Sequence, residues 1–245
     1  MNIRRSAALA TGAVALAVAA LSPAASAEGS RTSSNPEQLL QAALTAARAE
    51  PGVHWTVSSR AGGRTLTEQT EAGKSVGEQL ITLHEGSSSG RVTIVLVDQI
   101  AYLRGNAFAL RSYMDFTTAA ATQEAGRWLA MRNTVPDYQA VAAGLTVAST
   151  VAQLEMTGKL SWGPSRLIGG HRATGIRGST VPSAIAPAFS QVLYVRATGT
   201  PLIVEAVQTY KGQTGDISFG PWIAPPVARA PSGAVPFASS WLQGG

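Results

Sequence analysis

Cysteine is absent from the entire chain, and that absence removes disulfide stapling, thiolate metal centres and lipid anchoring through an N-terminal cysteine together. Charge is also sparse: only 13% of residues are charged, with 19 basic against 14 acidic. The basic excess forms no run and is not interleaved with aromatic residues, so nucleic acid is not an implied partner. The three histidines, His54, His84 and His171, have no i, i+4 pairing, and the acidic residues do not cluster at ligand spacing, so no metal and no cofactor is expected. No P-loop or dinucleotide glycine pattern is present. No segment approaches the roughly 20 consecutive apolar residues that span a bilayer, so the mature chain is expected to lack a transmembrane segment. What the chain does have is apolar material, 45% of its residues, which is ample for a core and argues against disorder.

The first residues read as an export leader. Arg4 and Arg5 form a basic start, Ala7 to Leu21 a short apolar stretch, and Ala25 and Ala27 flank a cleavage site with small residues. Two arginines are what any such start carries, so they assign no export route. The expected organisation is a cleaved signal peptide over 1–27, a flexible leader over 28–35, one domain over 36–237 and a C-terminal tail over 238–245. Without the leader, 17 basic residues face 14 acidic ones, a net charge of +3. The expected location is outside the cell or in a periplasm-like envelope space.

Helix signals open the domain. Asn35 can cap, Pro36 suits a first turn, and Leu39, Leu40, Ala43, Leu44 and Ala47 form an apolar stripe that ends before Pro51. From Gly52 the period becomes two: Val53, Trp55 and Val57 alternate with polar residues, and glycines at 62–63, 73, 86–90 and 105 punctuate an antiparallel meander. Arg91 to Val97 is apolar on both faces, which predicts cover on both. Helical, alanine-rich sequence lies between Gly105 and Gly126. A strand is expected over Arg127 to Met131 and a helix from Pro136, with Tyr138, Val141, Ala142 and Leu145 on one face and the pattern continuing towards Val151. Strands are then expected over 153–162, 166–177, 191–197, 202–210 and 215–219, with turns at Gly163-Pro164, Gly169-Gly170 and Gly199-Thr200-Pro201. From Pro221 onwards an edge segment or tail is expected.

One catalytic motif is nominally present. Gly86-Ser87-Ser88-Ser89-Gly90 matches G-x-S-x-G, but a nucleophile elbow needs a helix after it, whereas Arg91 to Val97 reads as a strand. A serine-rich hairpin loop is the better reading, and no enzyme is expected. Paired carboxylates at Glu68 and Glu71 are better read as a polar strand edge.

Several segments together resemble the actinobacterial LppX/LprG lipoprotein family. They are Asp98-Gln99-Ile100-Ala101-Tyr102-Leu103-Arg104-Gly105-Asn106, Gly126-Arg127-Trp128-Leu129-Ala130-Met131, the Pro136 helix, Leu193-Tyr194-Val195 with Thr200-Pro201-Leu202, and Ile217-Ser218-Phe219. The resemblance covers about Pro36 to Phe237, and it departs from the family at the leader, which lacks the lipid-modified cysteine. It implies an α+β, LolA-like half-barrel: a curved antiparallel sheet with helices over its concave face and a cavity for lipid or glycolipid acyl chains. Phe108, Leu110, Tyr138, Val141 and Leu145 would then line the cavity opposite Trp55, Ile94 and Leu96, with Arg104 and Arg127 at its mouth meeting anionic head groups. Ordinary core packing and surface charge are the competing readings of those residues. The expected function is non-enzymatic binding of a lipid or other apolar molecule, in envelope lipid transport. The alternative is an interaction or sensor module that has a filled core and an envelope protein as partner.

Overall fold

The computed structural model describes residues 35–182, 188–211, 213–225 and 227–243. The expected leader, including its cleavage site, lies outside the described residues. Helix α1 is Pro36–Ala49, and the Asn35 side chain caps it by accepting from the Gln38 N–H at 2.8 Å. Five strands follow: β1 Gly52–Ala61, β2 Arg64–Gly73, β3 Gly77–Glu85, β4 Ser88–Val97 and β5 Ile100–Gly105. Helices α2 Ala107–Ser112 and α3 Thr118–Glu124 lead to β6 Leu129–Arg132, and α4 Tyr138–Ala142 and α5 Val147–Ala152 come next. The remaining strands are β7 Met156–Ile168, β8 His171–Thr180, β9 Ser190–Arg196, β10 Ile203–Tyr210, β11 Gln213–Phe219 and β12 Val235–Pro236, before a 3-10 turn at Ser239–Trp241.

All twelve strands form one sheet in the order β12-β6-β5-β4-β3-β2-β1-β11-β10-β9-β8-β7. It is antiparallel throughout except where β12 runs parallel to β6. The expected α+β half-barrel is therefore present: an open, curved sheet with the helices on its concave face. Two meanders, β1 to β6 and β7 to β11, meet at the β1–β11 pairing, where Trp55 stands opposite Phe219.

The concave face carries two adjoining apolar cores. In one, Leu66, Ile81, Leu83, Val92, Ile94, Leu96, Leu103 and Leu129 of the sheet pack against residues of α2, α3 and α4. In the other, α1 and Val147 and Val151 of α5 pack on Val53, Ile176, Leu193, Ile203 and Phe219. The alternation expected on Val53, Trp55 and Val57 holds, with Val57 half-buried. On β4 the concave-facing Val92, Ile94 and Leu96 are buried, as is Val95 on the opposite face, at 6% exposure.

Three element boundaries differ from the expected ones. The Pro136 helix does not run on to Val151: Gly144 at φ +77° ends α4, and Thr146 starts α5 with a capping box to Ser149. The apolar residues on either side of the break go to different cores: Tyr138, Val141 and Leu145 to the first, Val147 and Val151 to the second. Gly163-Pro164 does not turn the chain; it lies within β7, where the register shifts between Trp162 and Ser165. Proline is tolerated there because β7 is the last strand of the sheet and one side of its ladder is unpaired. The Gly86–Gly90 stretch is mostly strand, with β4 beginning at Ser88. At the C-terminus, packing continues beyond 237: Leu242 is 5% exposed and belongs to the first core.

Candidate functional site

The interior between sheet and helices is the site that the resemblance singles out. Across it runs a register-matched row, Phe219, Trp55, Thr70, Gln79, Ile94, Leu103 and Leu129, each contributed by a different strand. Cross-strand partners share a face, so these side chains all point towards the helices.

Of the expected cavity residues, Ile94, Leu96, Leu110, Tyr138, Val141 and Leu145 come together in the first core, with Phe108 packed at its margin. Trp55 is set apart in the second. Ile94, Leu110, Val141 and Leu145 have 0% exposure. Accessible surface includes the wall of any void that admits a water molecule, so these four side chains meet packed atoms on every side. In this conformation they are core. Trp55 has a second role: its indole Nε1–H donates to the Gly144 carbonyl at 3.3 Å, and the Thr150 hydroxyl donates to the same oxygen at 3.0 Å. The break between α4 and α5 is thereby fastened to β1.

The two arginines expected at a mouth lie elsewhere. Leu103 faces the helices, so Arg104 beside it on β5 projects from the convex face, with its guanidinium 5.9 Å from the centre of the Trp128 ring. Arg127 follows α3 and pairs with Glu124 at 2.9 Å, a carboxylate with only 2% of its side chain exposed. That pair gives Glu124 a partner for its buried charge, a structural role.

A polar seam on the concave face went unread in the sequence. The Gln79 amide, fully buried, donates to the Thr70 hydroxyl at 3.0 Å and to Glu68 at 3.4 Å, and the Tyr113 hydroxyl donates to the other Glu68 oxygen at 2.6 Å. Strand parity held the clue, since Glu68 and Thr70 share a face with the apolar Leu66 and Ala72. The same parity separates Glu68 from Glu71, which stands on the opposite face beside His54 at 4.0 Å. The two carboxylates cannot act on one bond.

The serine motif is not met by its neighbouring histidine either. Ser88 is opposite Glu85, and His84 is opposite Ser89, so His84 and Ser88 lie on different faces of the hairpin. What the motif's last glycine provides is room: a Cβ on Gly90 would stand 2.9 Å from the Ala109 Cβ, where α2 crosses β4. Among the described residues no group of three or more histidine, aspartate or glutamate side chains could hold a metal ion. No helix among them is long and apolar enough to cross a membrane.

No family pattern and no curated protein matches this chain in sequence. Its fold does have solved counterparts. LprF from Mycobacterium bovis superposes with a TM-score of 0.52 at 13% identity, over 81% of this chain and 97% of that one. Mycobacterium tuberculosis lipoprotein LppX gives 0.49 at 13% identity, over 79% and 99%. An uncharacterized conserved protein from Thermus thermophilus gives 0.42 at 11% identity, over 82% and 97%. At such identity the likeness to LprF is one of fold, and it is the fold that the sequence resemblance implied.

Proposed function

We propose that this protein is an exported, non-enzymatic carrier that binds a lipid or another apolar molecule between its sheet and its helices. The observation that carries this reading is the construction of the concave face: an apolar sheet covered, over its first half, by helices of only five to seven residues. Helices that short have little stability of their own, so tertiary contact alone holds them in place. They can leave the sheet without disturbing its ladder. An acyl chain entering beneath them replaces their contacts with its own, and the apolar area it removes from water supplies about 25 cal/mol per Å². The described conformation is then the closed one, with Ile94, Leu110, Val141 and Leu145 fully buried. Trp55 and Thr150, both bonded to the Gly144 carbonyl, act as the latch.

The test is uptake of a fluorescent long-chain acyl probe, together with organic extraction and mass spectrometry of protein from its native host. A co-purified lipid and saturable uptake are the expected results. Trp55→Phe, which removes one of the two latch hydrogen bonds and part of a buried ring, is expected to speed probe entry while lowering stability by about 1–3 kcal/mol. Absence of bound lipid together with absence of uptake would overturn the carrier. Mass spectrometry of the exported protein is expected to show Glu28 as its first residue.

A second reading, an interaction module with a permanently filled core, is favoured by the complete burial of Ile94, Leu110, Val141 and Leu145. Under it the probe never enters, and Trp55→Phe changes stability alone.

A further inference from the structure

We propose that the groove between the convex face of β5–β6 and the C-terminal segment is a binding site for a small anionic amphiphile, with Arg132 as its charge anchor. The groove has a volume of about 380 Å³. One wall consists of Ile100 and Tyr102 of β5 with Ala130 and Arg132 of β6. These alternate with Ala101, Leu103, Leu129 and Met131, which face the helices at 0% exposure, so this wall turns its other side to the interior. Val135 and Phe237, at the margin of the groove, also pack against the first core.

The opposite wall is the segment from Pro231 to Phe237. It is fixed in place: β12 pairs with β6 through Val235 and Pro236, the Val235 N–H donates to the Trp128 carbonyl at 2.9 Å, and the Phe237 N–H donates to the Ala130 carbonyl at 2.9 Å. Both walls belong to one hydrogen-bonded ladder, so the groove exists before any ligand arrives.

Its lining selects the ligand's charge. No acidic residue is among the lining residues, and the acids closest in sequence, Asp98 and Asp137, lie outside it. Among the described residues the Arg132 guanidinium forms no ion pair, and the hydroxyls of Tyr102 and Thr134 form no hydrogen bond with the protein. Several donors thus border one groove without a protein acceptor, and a guanidinium pairs best with a carboxylate or phosphate. Ile100, Val135, Pro231 and Phe237 supply apolar contact for the rest of the molecule. The groove is open to solvent, and its walls enclose room for roughly a dozen water-sized groups at about 30 Å³ each, which suits an anionic head with a short apolar chain.

Titration of the isotope-labelled full chain, followed by amide chemical shifts, tests this with hexyl phosphate as the probe. Saturable shifts are expected at Tyr102, Ala130, Val135 and Gly233. Hexyltrimethylammonium is expected to leave them unmoved, and inorganic phosphate, which cannot use the apolar wall, to bind about tenfold more weakly. Arg132→Gln is expected to weaken hexyl phosphate by about tenfold or more, with an unchanged thermal midpoint. Arg104→Gln, on the same face outside the groove, is expected to leave binding unchanged. Equal shifts with the cationic probe, an Arg132→Gln protein that binds as before, or shifts confined to the concave face would each overturn the proposal. The last result would mean that the probe had entered the interior, which the acyl-probe experiment detects separately.

Discussion

At the scale of single residues, the backbone places side chains in costly conformations that substitution can relieve. Asp98 and Gln99 form the β4–β5 turn with φ of 51° and 58°, a left-handed pair that favours glycine. Gln99→Gly removes roughly 1–2 kcal/mol of left-handed strain and adds about 0.5–1 of glycine entropy. The change also removes the bond that the Gln99 side chain accepts from the Asn133 amide at 3.0 Å, worth about 0.5–1 kcal/mol, so denaturant unfolding is expected to shift by no more than about 0.5 kcal/mol. Asp137, before α4, makes no capping hydrogen bond, and burial raises its carboxyl above the usual value of 3.8. A carboxyl whose folded-state pKa is raised binds its proton more tightly folded than unfolded, so ionisation above that pKa disfavours the folded state. Asp137→Asn is expected to raise the thermal midpoint at pH 7. The gap should close as the pH falls below the ordinary carboxylate value, where wild-type Asp137 is neutral in both states.

At the scale of elements, Gly90 connects a strand to the helix that covers it. Adding a Cβ there meets Ala109 Cβ at 2.9 Å and Phe108 Cδ1 at 3.0 Å, so α2 must lift from β4. Gly90→Ala is expected to cost about 1–3 kcal/mol, as overpacking does, whereas Ser88→Ala, on the exposed hairpin, is expected to change stability by no more than about 0.5. A larger effect would give the Ser88 hydroxyl a structural role; only a hydrolytic activity abolished by Ser88→Ala would revive the catalytic reading of that motif. Most elements were legible from the sequence because each rests on local signals: Asn35 and Pro36 before α1, the glycine pairs between strands, the two-residue alternation on β1. Their interruptions were less so. The break at Gly144 has local signals, the glycine and the Thr146–Ser149 capping box, that the continuing apolar pattern outweighed, whereas Gly163-Pro164 stays in strand because β7 is an edge, a property of the assembled sheet.

At the scale of the whole molecule, the C-terminus belongs to the fold. Leu242 is buried, Phe116, Phe237 and Trp241 form an edge-packed aromatic cluster, and the Thr117 N–H donates to the Trp241 carbonyl at 2.8 Å. Ending the chain at 237 is therefore expected to cost at least about 3 kcal/mol in equilibrium unfolding, from one buried leucine and the lost ring contacts. An unchanged stability would restore the reading of 238–245 as a tail. Periodicity and turn chemistry, written in neighbouring residues, determined most strands and helices and the antiparallel meander, while the half-barrel fold class came from the segments that resemble the LppX/LprG family. The sequence by itself also supplied the apolar residues Ile94, Leu110, Val141 and Leu145 as one group. Only the tertiary structure decided that they close on one another, that Arg104 and Arg127 stand away from any mouth, and that Glu68, Thr70, Gln79 and Tyr113 join in a seam. Those outcomes depend on which strands become neighbours and on where the helices settle, and contacts between residues far apart in the chain leave no local pattern to read.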